Sequence, residues 1–332
     1  IVQQGLSWAK GLDDMPQYKE TFNEAEAQAR ANKLAIFSGV ASPCDPPIED
    51  GYKDINLYDL AKELQEGLDD PDHAYSFNNT YVHFTGTVGG FVDGTLYLQR
   101  YFGEDESDLY SIPEGGEYVG INVFTGMGGI PSKFKQPNAY VEIYGLALYS
   151  ENFGFQISDA YFPQFESEDD EAPCRVLLKA DKNTDDPTTI INPETGERGH
   201  KLKVFEVSKA ELNAKLQAKD YSMLFQPVTV TDELTIVESY QGTTNRVSTY
   251  VSDDGDVSIA FDGAEFGAYV KGMKYQPDPD NDSTRIWTKA EDFIGQTVTL
   301  QNCILANFKS ASGKYIYQLY LCDSHGMTVV SE

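Results

Sequence analysis

The feature that most constrains this chain is an alternation of period two that starts, stops and starts again. "YVHFTGTV" (81–88) sets Val82, Phe84 and Gly86 against Tyr81, His83 and Thr85. "GTLYLQRYF" (94–102) follows the turn "VDG", and "EYVGINVF" (117–124) alternates Val119, Ile121 and Val123 with Tyr118, Gly120, Asn122 and Phe124. "AYVEIYGLALYS" (139–150) and "FGFQISDAYF" (153–162) add two more such runs. Successive side chains of a strand point to opposite faces, so each run has one apolar face to bury. The pattern returns in "PVTVTDELTIVESY" (227–240), in "VSTYVSDDGDVSIAFDG" (247–263), in "QTVTLQNCILANF" (296–308) and in "KYIYQLYLCD" (314–323). The second of these reads as a hairpin around Asp254-Gly255, whose chemistry suits the positive φ angles of a tight turn. Each block therefore holds five strands.

Helical signals lie outside or between the blocks. "YKETFNEAEAQARANKLA" (18–35) is rich in good helix formers. "INLYDLAKELQEGLDD" (55–70) places Leu57, Leu60, Ala61, Leu64 and Leu68 on one stripe. "SKAELNAKLQAK" (208–219) opens with a capping box, Ser208 and Glu211. "TKAEDFIG" (288–295) reads as a short helix between the third and fourth strands of the second block. "ESEDDEAP" (166–173) is an acidic linker, and residues 181–199 form a turn-rich exposed loop or insertion. The organisation is an N-terminal helical segment, 1–72, packed on a first barrel, 73–166. A linker, loop and helix, 167–221, lead to a second barrel, 222–332. A weak internal repeat supports common architecture: each block closes on an apolar strand, a turn with Gly, and an aromatic-x-apolar strand containing Gln156 or Gln318.

Charge narrows the partners. The 332 residues carry 25 Lys and Arg against 53 Asp and Glu, a net charge of -28. Affinity for nucleic acid rests on cations that displace counterions, so a phosphate backbone is an unfavoured partner. No apolar run approaches the ~20 residues of a membrane helix. The first residue is Ile1, as expected of a processed or recombinant start. Four cysteines (Cys44, Cys174, Cys303, Cys322) and four scattered histidines contain no close-spaced pair of the kind a structural zinc needs. No cofactor is expected.

Five antiparallel strands with a helix or long connection between the third and fourth resemble the OB-fold barrel. "YVHFTGTVGGFVDGTLYLQR" and "FIGQTVTLQNCILANFKSASGKYIYQLYLCD" carry the likeness. They resemble the tandem OB-fold domains of uncharacterised secreted lipoproteins of Bacteroidetes-type bacteria. Val82, Gly86 and Val88 match the first-strand phrase of that family, and Leu96-Tyr97-Leu98-Gln99 match its second, with Arg100 in place of an acidic residue. The resemblance spans roughly 73–165 and 222–332. It implies a β-dominated fold of two OB-like five-stranded barrels, an extracytoplasmic location, in the periplasm or at the cell surface, and a lipid anchor upstream of residue 1. It brings no catalytic residues.

The residues themselves offer no reaction. "GMGGIPS" (126–132) lacks the spacing and the βαβ setting of a phosphate cradle. No nucleophile elbow, zinc-protease or kinase motif occurs, and the chain is read as not an enzyme. Asp278, Asp280 and Asp282 alternate as calcium ligands do, but Ser283 and Lys289 stand where an EF-hand needs Gly and Glu. They are a weak cation candidate beside the plainer reading of a solvated turn.

The candidate binding face is on the first barrel. With Leu96, Leu98, Val119, Ile121 and Val123 inward, Tyr97, Gln99, Tyr101, Tyr118, Asn122 and Phe124 point outward on the strands where OB-folds hold oligonucleotides or oligosaccharides. Tyr97, Tyr101 and Tyr118 are expected to be accessible and close together. Residues 90–165 hold Arg100, Lys133 and Lys135 against ten acids, which disfavours a single strand of nucleic acid. The same rings could instead pack against the N-terminal helices or the second barrel.

The last hairpin fixes the other expectation. A two-residue turn at Ser312-Gly313, or a four-residue loop Ala311 to Lys314, sets Ile304 opposite Leu321, Ala306 opposite Leu319 and Phe308 opposite Tyr317, one apolar core face. Cys303 then faces Cys322 on the less buried side, within disulfide range; a disulfide and a pair of free thiols both fit. The sequence reads as a non-catalytic envelope or surface binding protein for a glycan or a protein partner. A single-stranded nucleic-acid binder and a structural component of a surface assembly are the alternatives.

Overall fold

The computed structural model divides the chain into two units, residues 1–47 and 48–332. The structure describes residues 16–32, 51–68, 70, 72–92, 94–104, 106–107, 109–125, 130–150, 154–162, 173–179, 189–191, 198–241, 257–270, 276–278, 281–286, 294–309, 315–321 and 326–330. In the first unit, helix α1 (Pro16–Ala31) ends on an Arg30–Glu26 ion pair of 2.8 Å, one turn apart.

The second unit opens with a short strand, β1 (Lys53–Asp54), and helix α2 (Leu57–Gly67). Asn56 caps α2 through its side chain, which accepts from the Asp59 N–H. The expected stripe is the buried one: Leu57, Leu60, Ala61 and Leu64 are shielded from solvent, and Leu68 is half-buried. Gly86 on the first barrel strand makes room for it, because a Cβ there would stand 3.0 Å from Leu57 Cδ1. Burying three leucines of this stripe stabilises the helix on the barrel by about 1.5–3 kcal/mol each.

The barrel itself is β2 (Thr80–Val92), β3 (Thr95–Phe102), β4 (Glu117–Phe124), β5 (Tyr140–Ser150) and β6 (Gly154–Ser158). The strands neighbour one another as β2-β3-β4-β6-β5, and β5 returns to β2. All pairs are antiparallel except β4 with β6. This closed five-stranded Greek-key barrel is the OB-fold. β2 closes it by serving two partners: Thr80–Thr87 pair with β5, and Thr87–Val92 pair with β3 across an irregularity at Gly89. Leu96, Leu98, Val119, Ile121 and Val123 fill the core, as their alternation requires. The connection between β4 and β5 carries a 3-10 turn, Ser132–Lys135, which buries Phe134. An edge strand, β7 (Arg175–Leu178), pairs with β5. Within the span read as a turn-rich loop, β8 (Thr189–Ile191) and β9 (Arg198–His200) make a small hairpin.

The plan then repeats. β10 (Phe205–Val207) runs parallel to the first strand of the next barrel, as β1 does to β2. Helix α3 (Lys209–Gln217) follows with the expected Ser208–Glu211 capping box, and buries Leu212 and Leu216. The second barrel is β11 (Pro227–Gln241), β12 (Val257–Phe261), β13 (Phe266–Val270), β16 and β17, with a separate hairpin of β14 (Gln276–Asp278) and β15 (Asn281–Ile286) between. β16 (Thr297–Lys309) and β17 (Tyr315–Tyr320) complete the barrel, and β18 (Met327–Val329) edges it as β7 edges the first. The order β10-β11-β12-β13-β17-β16-β18 matches the first sheet strand for strand, including the parallel contact of third and fifth strands. The repeat thus extends beyond the barrels to the strand and helix before each.

Asp254-Gly255, the expected hairpin turn of the second block, lies outside the described residues. β12 turns into β13 at Asp262-Gly263, where Gly263 has φ +60, and β13, "FGAYV", is a strand whose small residues weakened the alternation. Two sequence expectations are corrected. The register of β16 with β17 is shifted by one residue: Ile304 faces Tyr320, Leu305 faces Leu319, and Lys309 faces Tyr315. Five residues, not two or four, join the strands. The core face is shifted too. Asn302 adopts φ +54, and the pairing with β11 slips between Val228 and Val230. This bulge moves the inward face from Val298 and Leu300 to Cys303 and Leu305. Cys303 is consequently buried, its thiol turned to the carbonyls of Gln301 and Gly326 at 3.6 and 3.8 Å. Ile304 and Ala306 remain fully buried, Ile304 beside Gly89 of the first barrel, whereas Phe308, expected in the core, is 53% exposed. Cys322, the expected partner of Cys303, lies outside the described residues, as do residues 288–293 of the expected short helix and Asp280 of the cation candidate. Asp278 and Asp282 fall on β14 and β15, where Asp278 pairs with Asn281.

Candidate functional site

The outer face of β3 and β4 carries all six candidate residues, but the chain itself occupies its centre. Gln99 and Gly120 are direct cross-strand partners. A Cβ on Gly120 would lie 2.6 Å from Leu224 O and 2.8 Å from the Phe225 carbonyl carbon, so the backbone of 224–226 rests directly on the sheet. Only glycine permits that approach. Gln99 holds a second segment in a two-point bond: its Oε1 accepts from the Lys203 N–H (2.7 Å) and its Nε2 donates to Lys203 O (2.9 Å). The same Nε2 donates to Gln226 Oε1 at 2.8 Å. Gln226 in turn donates to Tyr118 O and Ser222 O. Phe225, at φ +60, sets its ring 5.7 Å from that of Tyr97, which also meets Tyr320 of β17 at 6.3 Å. Tyr97 and Gln99 are therefore buried, 3% and 1% exposed, in the joint between the barrels. The expectation that they stand open to a ligand is corrected. The reason lies 100 residues downstream, in segments that no strand pattern of β3 and β4 could reveal.

One end of the face stays accessible. Tyr101 and Tyr118, opposite each other, are half-exposed with ring centroids 5.0 Å apart. Tyr101 Oη donates to Gly115 O (2.7 Å), which orients its ring. Phe205 of β10 meets Tyr118 edge-on at 6.4 Å. The exposed Lys203 ammonium sits 5.0 Å from the Tyr118 ring and 4.8 Å from that of Phe205. Burial, with the neighbouring Tyr101 phenol, raises the Tyr118 pKa, so its hydroxyl stays a neutral donor at physiological pH. Three rings and one ammonium thus form a small cradle. At the far end of the face, Asn122 is half-buried, its Oδ1 without a hydrogen-bond partner among the described residues, and Phe124 is exposed. Lys203 and Phe205 were missed by the sequence reading, although "LKVFEV" (202–207) carries a short alternation that marks β10.

Two other polar clusters neutralise themselves. A cleft of about 320 Å³ between α2 and the turn 219–222 is lined by Lys62, Glu66, Glu117, Lys219 and Asp220. Lys62 pairs with Glu117 at 2.8 Å and Lys215 with Asp220 at 2.5 Å. On β2, His83 stacks on Tyr144 and places Nδ1 against Asp54 of β1 and Nε2 2.8 Å from Glu142 of β5. Burial opposes the charge on this imidazole, but the bonds to Glu142 and Asp54 outweigh it and raise its pKa. With a carboxylate at each ring nitrogen, both must donate, which is the imidazolium form. Among the described residues no cluster of His, Cys, Asp and Glu could hold a metal, and no helix is long and apolar enough to cross a membrane.

No protein-family model and no curated protein matches the chain. Among solved structures it is similar to fission yeast Pot1 in complex with ssDNA, at 13% identity and TM-score 0.21, over 82% of this chain and 93% of that one. It is also similar to an aspartyl-tRNA synthetase from Leishmania major at 10% identity and TM-score 0.21, over 55% of this chain and 31% of that one. At such scores the likenesses carry no argument, and the fold rests on the strand order.

Proposed function

We propose that the chain is a non-catalytic binding protein of the cell envelope or cell surface, and that its first barrel binds a glycan on the cradle of Tyr101, Tyr118, Phe205 and Lys203. One observation carries the reading: three half-exposed rings converge beside a single exposed ammonium. Aromatic faces pack on the C–H faces of sugars, while the tyrosine hydroxyls and the ammonium bond to sugar hydroxyls. A phosphodiester strand suits the place poorly. The groove for such a strand must be positive along its length, and here the centre of the face is filled and the chain is strongly acidic. The extracytoplasmic location follows from the resemblance in "YVHFTGTVGGFVDGTLYLQR" and is tested by cell fractionation.

The binding test is a glycan array, followed by titration of the best sugar into the protein and into Tyr118→Ala and Tyr101→Ala. A matched titration with single-stranded DNA at low and physiological salt runs beside it. Each substitution is expected to weaken the sugar about tenfold, the equivalent of ~1.4 kcal/mol for a lost ring contact. No sugar binding, or tight DNA binding that fades with salt, would overturn the reading.

A further inference from the structure

The cradle of Tyr101, Tyr118, Phe205 and Lys203 carries a charge that no described residue neutralises. Elsewhere cations meet carboxylates: Arg30 pairs with Glu26, Lys62 with Glu117 and Lys215 with Asp220. Lys203 differs. Among the described residues its ammonium meets no carboxylate and donates no hydrogen bond; its neighbours are the rings of Tyr118 and Phe205, at 5.0 and 4.8 Å. A ring face attracts a cation, but the N–H donors of an ammonium need oxygen or nitrogen acceptors. The chain has 53 acids for 25 Lys and Arg, so the missing partner reflects a local arrangement and not a shortage of carboxylates.

The place of this charge is fixed from the main chain outward. Gln99, itself buried, clamps the N–H and the carbonyl of Lys203 at 2.7 and 2.9 Å. The side chain leaves a held backbone and lies beside two rings, so little freedom remains to be lost on binding. The neighbouring acids are committed elsewhere or lie at the other end. Glu117 precedes Tyr118, but its oxygens are taken by Lys62 and the Tyr58 hydroxyl. Glu206 follows Phe205 on β10, and successive side chains of a strand point to opposite faces. Glu104 accepts from the Gly115 N–H at 2.6 Å, and exposed Glu114 is the next residue along the chain from that glycine, whose carbonyl holds Tyr101 Oη. Negative charge gathers at the Tyr101 end of the cradle and positive charge at the Lys203 end.

We infer, on the basis of the glycan reading of this cradle, that its ligand is an acidic glycan, which sets the carboxylate of a uronic-acid unit on the Lys203 ammonium while the C–H face of the same sugar lies against Tyr118 and Phe205. A hexuronic acid carries its carboxylate on the carbon next to the ring oxygen, at the edge of the face that packs on an aromatic ring, so both contacts fall within one sugar. Its hydroxyl edge points toward Tyr101, the end at which a second negative charge is unwelcome. One ammonium matches one carboxylate, whereas a run of phosphodiesters needs cations in sequence. The net charge of -28 does not forbid the contact: at physiological ionic strength exposed charges act over about 8 Å, so the sugar's carboxylate responds chiefly to Lys203.

The probes are oligomers of galacturonic, glucuronic and mannuronic acid, each beside its own methyl ester, which keeps the sugar and removes the charge. They are titrated into the intact protein, with a sulfated neutral oligomer and single-stranded DNA as further arms. At least one uronate is expected to bind about tenfold tighter than its ester, the size of one charge-assisted contact, and the advantage should shrink as salt is raised. Lys203→Gln should bring acid and ester to equal affinity, and Lys203→Arg should keep the preference. Both variants retain the main-chain clamp on Gln99, and an unchanged urea midpoint verifies the fold. Equal binding of acid and ester, a preference that survives Lys203→Gln, or binding of the sulfated oligomer or the DNA alone would overturn the inference. If neutral sugars bind and depend on Tyr118 while uronates gain nothing, only the charge assignment falls; if no sugar binds, the glycan reading falls with it.

Discussion

Gln99 stands on the second strand of the first barrel and Gln318 on the fifth strand of the second, and the same substitution should have very different costs in them. Gln99→Ala removes three hydrogen bonds at once, two to the main chain of Lys203 and one to Gln226. It leaves the Lys203 N–H and carbonyl and the Gln226 Oε1 without their partner in a joint where Gln226 is fully buried. A buried polar group left unsatisfied costs about 1–3 kcal/mol. The Lys203 groups are only partly buried and recover some water, so about 1 kcal/mol for each of the three groups is the fitting value, a total of about 3 kcal/mol. Gln318→Ala removes no described bond and should stay within about 0.5 kcal/mol. Amide hydrogen exchange at Lys203 reads the first effect directly, since a loss of ~3 kcal/mol opens the segment roughly a hundredfold more often. Urea unfolding of both variants gives the comparison. If Gln99→Ala were no more costly than Gln318→Ala, and Lys203 exchanged at the wild-type rate, the segment would not be held by this amide.

Two further perturbations address other parts of the molecule. The His83 pKa is raised in the folded state, so its contribution to stability is fully present below the ordinary value of about 6.5 and is lost as pH rises through the folded value; urea midpoints measured across that window should fall with rising pH, and His83→Gln should abolish this part of the slope. Ser208→Ala deletes the side-chain acceptor of the α3 capping box and should cost about 1 kcal/mol, read as a lower urea midpoint with an unchanged m-value.

Period two and side-chain chemistry were enough to place most strands of the first barrel, its inward-facing set, the apolar stripe of α2 and the α3 cap. Those features depend on neighbours a few residues away or on which face is greasy, and both are written locally. The strand β13 escaped because Gly267 and Ala268 lend it little apolar contrast. The register of β16 with β17 escaped because it depends on an odd-length connection and on a single left-handed residue, Asn302, which reverses the inward face midway along the strand. Alternation says that two faces exist; it does not say what lies on the outer one. On the first barrel that outer face met Lys203 and Leu224–Gln226, about a hundred residues later in the chain, and became a joint. The sequence by itself determined two barrels with aromatic outer faces. What covers an outer face was decided by long-range packing, because burial of an outward side chain is a property of what the rest of the chain brings to it.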